Sequence, residues 1–537
     1  MSLADSNTLG ENPYNFEEYL AWRESFNIYE DVPFIKQAML RYAGDLSSDI
    51  QRDITQFAKR VSTEFEALSE AAGNHANAPY MVHFDGHNNR IDRIVRPAET
   101  LALEKAVWEE AVFAEEVDPW ARFMKIYLLT TLGESGINCA HCCTGGLNLL
   151  LERFADTPEL KRIHQHLTEG IDGEYGIAAQ FLSEIQGGSD VAANCVEAVE
   201  ENGQWRIYGN KFFCSAAHAD YAVITAKPQG SDQVALFVVP SWLPGDKAKE
   251  KRNSFTINKI KSKLGTRELP TGEIQYNGSI AYPIGPLDRG LANIVGIVLS
   301  HSRFISGLGP GAQMLRVTEE AKQYARQRTV FGVTIKDYGL VAAQLNKLDR
   351  YSLRTTAASF KLQSEILKKE RFDHGEKLFD SETQARQHAF HVRMLIMLHK
   401  MVATTDAAMI SELAMSIFGG HGLMEDFSSH PRLFRDATTL AGAWEGPKNL
   451  LLTRLYMDFQ AGRDWYPVAE FVGNLLQGAP QDTVSEMTTR LEALLDHGTL
   501  MGTDEKTLQV CEQWEAFCFD FTHAYQDQAR VEVESLL

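Results

Sequence analysis

WRIYGNKFFCS (205–215), DYAVITAK (220–227), QVALFVVP (233–240) and TGEIQYNGSIAYP (271–283) decide the fold. Each is a short run rich in β-branched and aromatic residues, and Gly, Pro, Asn or Asp separate one from the next. That is the pattern of antiparallel strands and hairpins. Asn202-Gly203 and Gly209-Asn210 are the best turn candidates. The runs predict a β domain over 176–287.

On both sides of it the period changes. ITQFAKRVSTEFEALSEAAG (54–73), LEKAVWEEAVFAEE (103–116) and LLLERFADTPELKRIHQHLTEG (149–170) carry apolar residues at three- and four-residue spacing, so residues 1–175 read as a helical domain with an N-terminal extension. NAPYMVHFDGHNNRIDRIVRP (77–97) between them reads as a loop with short extended pieces. After 288 the pattern is helical again, and Pro310 is placed to open the helix AQMLRVTEEAKQYARQR (312–328). A polar break at 368–384 divides two long helices. The order predicts an α+β multidomain chain: an N-terminal helical domain, a middle antiparallel β domain, a four-helix bundle over 288–455 and a helical extension over 456–537. Strands do not alternate with helices, which argues against a doubly wound parallel sheet.

The chain has 537 residues and 52 Lys plus Arg against 72 Asp plus Glu, a net charge of -20. Such a surface repels phosphate backbones and anionic lipid, so nucleic acid and membranes are poor partners. Residues 455–537 hold 15 acidic side chains against four basic ones, so more than half of the net charge lies there. Leu491, Leu494, Leu495, Trp514, Phe517 and Phe521 at helical spacing predict that this acidic tail packs on the body or a neighbour. The start, MSLADSNTLGENPYNFEEY, lacks the charged and apolar regions of a signal peptide, and seven cysteines without spaced pairs fit reduced thiols; a cytoplasmic protein is expected.

Three stretches can carry chemistry. LSEIQGGSDV (182–191) enters the β domain; Gly187 and Gly188 let a ligand approach the backbone and Ser189 offers a hydroxyl, though an ordinary surface turn reads the same way. GNKFFCS (209–215) puts Phe213 and Ser215 on one strand face, an apolar ring beside a hydroxyl, unless Phe213 belongs to the core. Gly419-Gly420 is placed to stop a helix, and Glu445 follows the largely uncharged run TTLAGAW. There it is either a base strengthened by apolar surroundings or an acid starting the next helix. Cys139, His141, Cys142 and Cys143 make a poor metal site, because neighbouring side chains on one helix diverge and no second cluster completes a tetrahedron.

These motifs, in this order, resemble the acyl-CoA dehydrogenase family of FAD enzymes. Its "TEPGAGSD" stands here as SEIQGGSD, its "K-x-W-I-T" as Lys211 to Ser215, and its "R-x-x-F-G" as Arg328 to Gly332. Its "FGGxG" is Phe418 to Gly422, "R-D" is Arg435-Asp436, and "YEGT" is Trp444-Glu445-Gly446-Pro447. The resemblance covers about 100–455 and is closest to the branch containing the alkylation-response flavoprotein AidB, which shares the Gln-Gly-Gly-Ser-Asp form and the tryptophan before the glutamate.

The resemblance implies that Glu445 is the catalytic base, removing the α-proton of an acyl-CoA thioester while FAD accepts the β-hydrogen. It implies FAD contacts from Leu182, Ser183, Gly188, Ser189, Phe213, Ser215 and Asn449, and from Arg328, Phe331, Gly419 and Gly420 reaching a neighbouring subunit's flavin. Ser189, Arg303 and Gly446 would be on the substrate side. An electron-transfer flavoprotein would take the electrons, and the chain would form a homodimer or homotetramer. Pro447 and Val330 each replace a threonine of the pattern. The alternative implied is an AidB-like non-catalytic flavoprotein that binds acyl groups or acts in a stress response.

Overall fold

A computed structural model describes residues 16–536; the signal-peptide reading of the first 15 residues lies outside them. Seven strands, β1 (Ala178–Phe181), β2 (Glu197–Glu201), β3 (Gln204–Ser215), β4 (Tyr221–Pro228), β5 (Ala235–Pro240), β6 (Phe255–Ile260) and β7 (Thr271–Pro283), form one sheet. Pairing runs β1-β4-β2-β3-β7-β5, β6 pairs with β7, and β5 returns to β4, so five strands close on themselves. Closure removes the exposed edges that an open sheet would leave. Alternate side chains such as Ile207, Ile224, Phe237 and Ile274 are buried.

Asn202 and Gly203 make the expected two-residue hairpin between β2 and β3, both with positive φ, +53° and +78°. Gly209-Asn210 is not a turn: both residues lie inside β3, opposite Tyr276 and Gln275. The glycine answers a different need, since a Cβ there would sit 3.1 Å from the Val196 side chain. The sheet is also not wholly antiparallel, because β4 runs parallel to β1 and β2. Residue alternation fixes which face a side chain takes but carries nothing about strand direction.

The preceding residues are helical, apart from the strand pair Tyr80–Phe84 and Arg90–Val95 in the stretch read as a loop. Two of these helices line the site: α1 (Pro119–Thr130), capped by the Asp118 carboxylate, and α2 (Ser135–Phe154). The helix expected over 103–116 ends at Trp108, and Ala111 takes φ +46° in the turns that follow. After the sheet come α3 (Leu299–Gln327), α4 (Gly339–Asp373), α5 (Glu382–Phe418), α6 (His430–Ala443) and α7 (Lys448–Gly462). Pro310 does not open a helix but lies within α3. Packing overrides its helix-breaking tendency: it sits between Gly307, against the Lys400 backbone of α5, and Gly311, against the Thr356 backbone of α4. The runs 290–327 and 382–423 are long and apolar enough to cross a bilayer by composition. Many of their apolar side chains, among them Met314, Leu315, Leu395 and Val402, are buried in the bundle.

The acidic tail packs on the body as expected. In α8 (Gln481–Leu495) and α9 (Glu505–Glu534), Leu491, Leu494, Leu495, Trp514, Phe517 and Phe521 are buried. Part of the acidity is spent on pairs: Glu532 with Lys361 (2.7 Å), Asp527 with Arg350 (2.6 Å) and Glu515 with Lys448.

Glu134 caps α2 by accepting from the Ile137 N–H, while its other oxygen is buried without a partner. Burial, and then the neighbouring Glu268, push its carboxyl up to about 8. Above the usual 4.5 and up to that value the folded chain holds a proton the unfolded chain has lost, so stability falls as pH rises through this window. Glu134→Gln keeps a capping oxygen and cannot ionise. Thermal unfolding is expected to show little change at pH 5 and a Tm higher by a few degrees at pH 8.5.

Candidate active site

Glu445 occupies the short turn between α6 and α7, before the helix rather than in it. It takes φ +54° and Gly446 φ +101°, two consecutive left-handed residues that turn the chain sharply. Two buried or half-buried cations hold that turn from different helices. Arg303 Nε of α3 donates to the Glu445 carbonyl at 3.0 Å, and Lys400 Nζ of α5 donates to the Gly446 carbonyl at 3.0 Å. The Glu445 carboxylate accepts from Gln180 Nε2 at 3.0 Å, and Gln180 Oε1 accepts from Ser302 Oγ at 3.3 Å. Burial raises the Glu445 carboxyl above the ordinary carboxylate value, while Arg303, Lys400 and the Gln180 hydrogen bond oppose the rise. Burial lowers the Lys400 ammonium to about 8. Both features make Glu445 a stronger base than an exposed glutamate, held in a fixed direction.

Gln180 lies on β1, and two residues later Leu182 begins the loop 182–190. This loop is braced from below. The Glu184 carboxylate accepts from Lys211 Nζ (2.8 Å), Cys195 N (2.6 Å) and Val196 N (3.2 Å), and Ser183 O accepts from Phe212 N (2.9 Å). Above the brace residues 185–190, including Gly188 and Ser189, are exposed. On the adjoining β3, Phe213 is 51% exposed and so is not a core residue. Ser215 is half-buried with its hydroxyl 3.2 Å from Thr271 Oγ1, and Lys261 Nζ lies over Phe212 and Phe213.

Thus Glu445, Gly446 and Arg303 come together, and Leu182, Ser183, Gly188, Ser189, Phe213 and Ser215 share the barrel surface reached from the base along β1. Asn449 is exposed on the first turn of α7. Arg328, Phe331, Gly419 and Gly420 form a separate group at the far end of α3, about 37 Å from Arg303 at 1.5 Å per residue. There Phe331 is 95% exposed at the tip of a two-stranded turn, and Gly419 ends α5. His421 lies in the same group, its Nδ1 2.9 Å from Tyr324 OH. Among the described residues no three His, Cys, Asp or Glu side chains are placed to hold a metal.

Sequence reasoning missed Gln180, Ser302 and Lys400. The signal for two of them is present: Lys400 stands beside His399 in MLIMLHKMVA and Gln180 stands alone in IAAQFL, polar groups within apolar runs. Such a group is buried with a partner or serves a site.

The chain thus sets a helical domain before a closed β barrel and a helical bundle after it, with a carboxylate held between the bundle and β1, which pairs with the barrel strand β4. "Acyl-CoA dehydrogenase, middle domain" matches residues 179–279 and "Acyl-CoA dehydrogenase, C-terminal domain" matches 288–458, together about half of the chain. The chain belongs to the acyl-CoA dehydrogenase family. It is 28% identical over 454 residues to acyl-CoA dehydrogenase family member 11 of Caenorhabditis elegans, covering 79% of this chain and 69% of that one. It is 27% identical over 444 residues to AidB of Escherichia coli K12, covering 79% and 76%. Among solved structures, Caenorhabditis elegans ACDH-11 in complex with C11-CoA matches with a TM-score of 0.81 at 22% identity, covering 99% of this chain and 91% of that one. An acyl-CoA dehydrogenase of Bacillus anthracis complexed with FAD matches with a TM-score of 0.63 at 15% identity, covering 94% and 90%.

Proposed function

We propose that this chain binds FAD and dehydrogenates an acyl-CoA thioester at its α,β-carbons, with Glu445 as the base. The observation that carries the reading is the Glu445 carboxylate itself: raised in pKa by burial, aimed by Gln180, and set on a turn whose carbonyls Arg303 and Lys400 hold.

The residues present fit the cofactor. Six consecutive exposed residues of the loop 185–190 lie beside a half-exposed Phe213 ring and the Ser215 hydroxyl, an apolar face edged by hydrogen-bonding groups. When bound, FAD supplies the acceptor for the β-hydrogen as hydride. Leu182, Ser183, Gly188, Ser189, Phe213 and Ser215 would hold it. Glu445 takes the α-proton, and its desolvated setting moves its proton affinity toward neutral pH, where a base works best. Arg303 and Lys400 keep positive charge beside the carboxylate, which limits that rise and leaves it ionised for the reaction.

Arg328, Phe331, Gly419 and Gly420 lie too far along α3 to share that flavin face, so they serve a cofactor only through a neighbouring copy, which makes a homo-oligomer part of the reading. An electron-transfer flavoprotein is the proposed acceptor of the electrons.

The test is anaerobic titration of FAD-reconstituted protein with a panel of acyl-CoA esters. Bleaching of the yellow flavin by at least one ester is the expected result. Bleaching by none would favour a non-catalytic flavoprotein like the alternative read from the sequence, and a colourless protein after reconstitution would overturn both.

A further inference from the structure

A small cavity adjoins the base's hydrogen-bond network between α1, α2 and α3. Its volume is about 10 Å³, room for about one water-sized group. Aliphatic side chains form part of its wall, but Thr130, Asn138, His141, Cys142 and His301 form the rest. That is a high polar share for a wall beside an acyl site.

His141 is 4% exposed and lies between the Phe113 ring at 4.4 Å and the Trp108 ring at 5.6 Å. His301 has its place opened by Gly145, where a Cβ would sit 2.6 Å from His301 Nε2. Among the described residues neither imidazole has a hydrogen-bond partner. Burial lowers His141 to about 3 and His301 to about 4, so both are neutral near pH 7, each with one donor and one acceptor nitrogen. Each therefore turns a donor and an acceptor toward the cavity with no protein group to meet them, and a ligand group that meets them gains hydrogen bonds at no loss of existing ones. Asn138 is similarly underused: its amide reaches Leu129 O only at 3.5 Å.

The cavity lies next to the catalytic group. His301 lines it, and the following residue on α3, Ser302, donates to Gln180, which in turn donates to Glu445. We infer that His141, His301 and Asn138 form a polar subsite that takes a neutral hydrogen-bonding oxygen, a hydroxyl, keto or amide group, carried by the acyl chain beyond its β-carbon. This rests on the acyl-CoA reading of the site and deepens it: the substrate is a short functionalised acyl thioester rather than a long hydrocarbon one. A methyl chain end placed here would meet both imidazoles with a group that offers them no hydrogen bond.

The experiment uses FAD-loaded protein and two isosteric pairs, 4-hydroxybutanoyl-CoA against pentanoyl-CoA and 5-hydroxypentanoyl-CoA against hexanoyl-CoA. Kd is measured by anaerobic calorimetry and flavin bleaching is scored separately. At least one hydroxylated ester is expected to bind ten-fold or more tightly than its methyl isostere, and His301→Leu is expected to abolish or reverse that preference. Alkyl esters binding as tightly in both wild-type pairs would overturn the subsite, a comparison that needs no variant to fold. A preference that survives both His301→Leu and His141→Leu would overturn its location. Hydroxyl preference in binding without bleaching by any ester would overturn the dehydrogenase reading and leave the subsite standing. Bleaching without hydroxyl preference would do the reverse, and failure of every ester to bind would overturn both.

Discussion

Glu445→Gln is expected to leave the protein yellow and to slow acyl-CoA-driven bleaching about 10⁴-fold, the upper range for loss of a positioned base. The substitution conserves shape. The glutamine still offers an oxygen to Gln180 Nε2, and the turn is held through main-chain carbonyls that the change does not touch. Removing a buried carboxylate also removes a desolvation cost, so thermal stability should hold or rise slightly. The residues proposed to hold FAD lie on the loop 182–190 and on β3, and they keep their braces. A fall in rate with cofactor binding unchanged therefore isolates the proton transfer. The pH profile gives a second readout: in the unmodified protein the rate rises with pH as the Glu445 carboxyl ionises, with the midpoint above the ordinary carboxylate value because of burial. In the variant that limb should vanish. Bleaching at an unchanged rate would overturn the assignment of the base.

Glu445 and Arg303 were legible because short motifs mark them, and the surrounding run TTLAGAW already pointed to an apolar setting. The rest of the network was not. Gln180 and Glu445 are 265 positions apart, and only the packing of β1 against the bundle brings them within 3.0 Å. Lys400 shows the same limit: the sequence displays a lysine within the apolar run 394–403, but its partner, the Gly446 carbonyl, is a main-chain atom that no residue type encodes. Periodicity identified the strands and the amphipathic tail, since burial acts directly on side-chain spacing. Glycine and proline misled where tertiary contact outweighed local preference. Gly209 clears space for Val196 within a strand, and Pro310 stays inside α3 because glycines on both sides let neighbouring helices approach.

Lys211→Met is expected to destabilise the chain by about 3–5 kcal/mol, the usual cost of removing one partner of a buried ion pair. Lys211 Nζ is buried and donates to Glu184 Oε1 (2.8 Å), Thr225 Oγ1 (3.0 Å) and Leu182 O (3.3 Å). One ammonium thus ties β3, β4 and the start of the loop 182–190. Methionine fills similar volume but leaves the Glu184 carboxylate without its counter-charge in a low-dielectric setting. Glu184, whose pKa in the intact pair lies below the ordinary value with Lys211 opposing the cost of burial, should then rise above it. The sign of the pH dependence follows: the folded variant takes up a proton the unfolded chain lacks, so it should be more stable at pH 5 than at pH 7.5. Leu182 O loses a donor at the point where the loop leaves β1, so FAD affinity should weaken by ten-fold or more, measured by flavin fluorescence on dilution. Adding Glu184→Gln removes the stranded charge while keeping an acceptor for Cys195 N or Val196 N. The double variant should recover much of the stability lost and flatten the pH dependence. If Lys211→Met instead unfolds at the same temperature at both pH values, the Glu184 charge is not what the ammonium neutralises, and the brace beneath the flavin loop must rest on the hydrogen bonds to Thr225 and Leu182 alone.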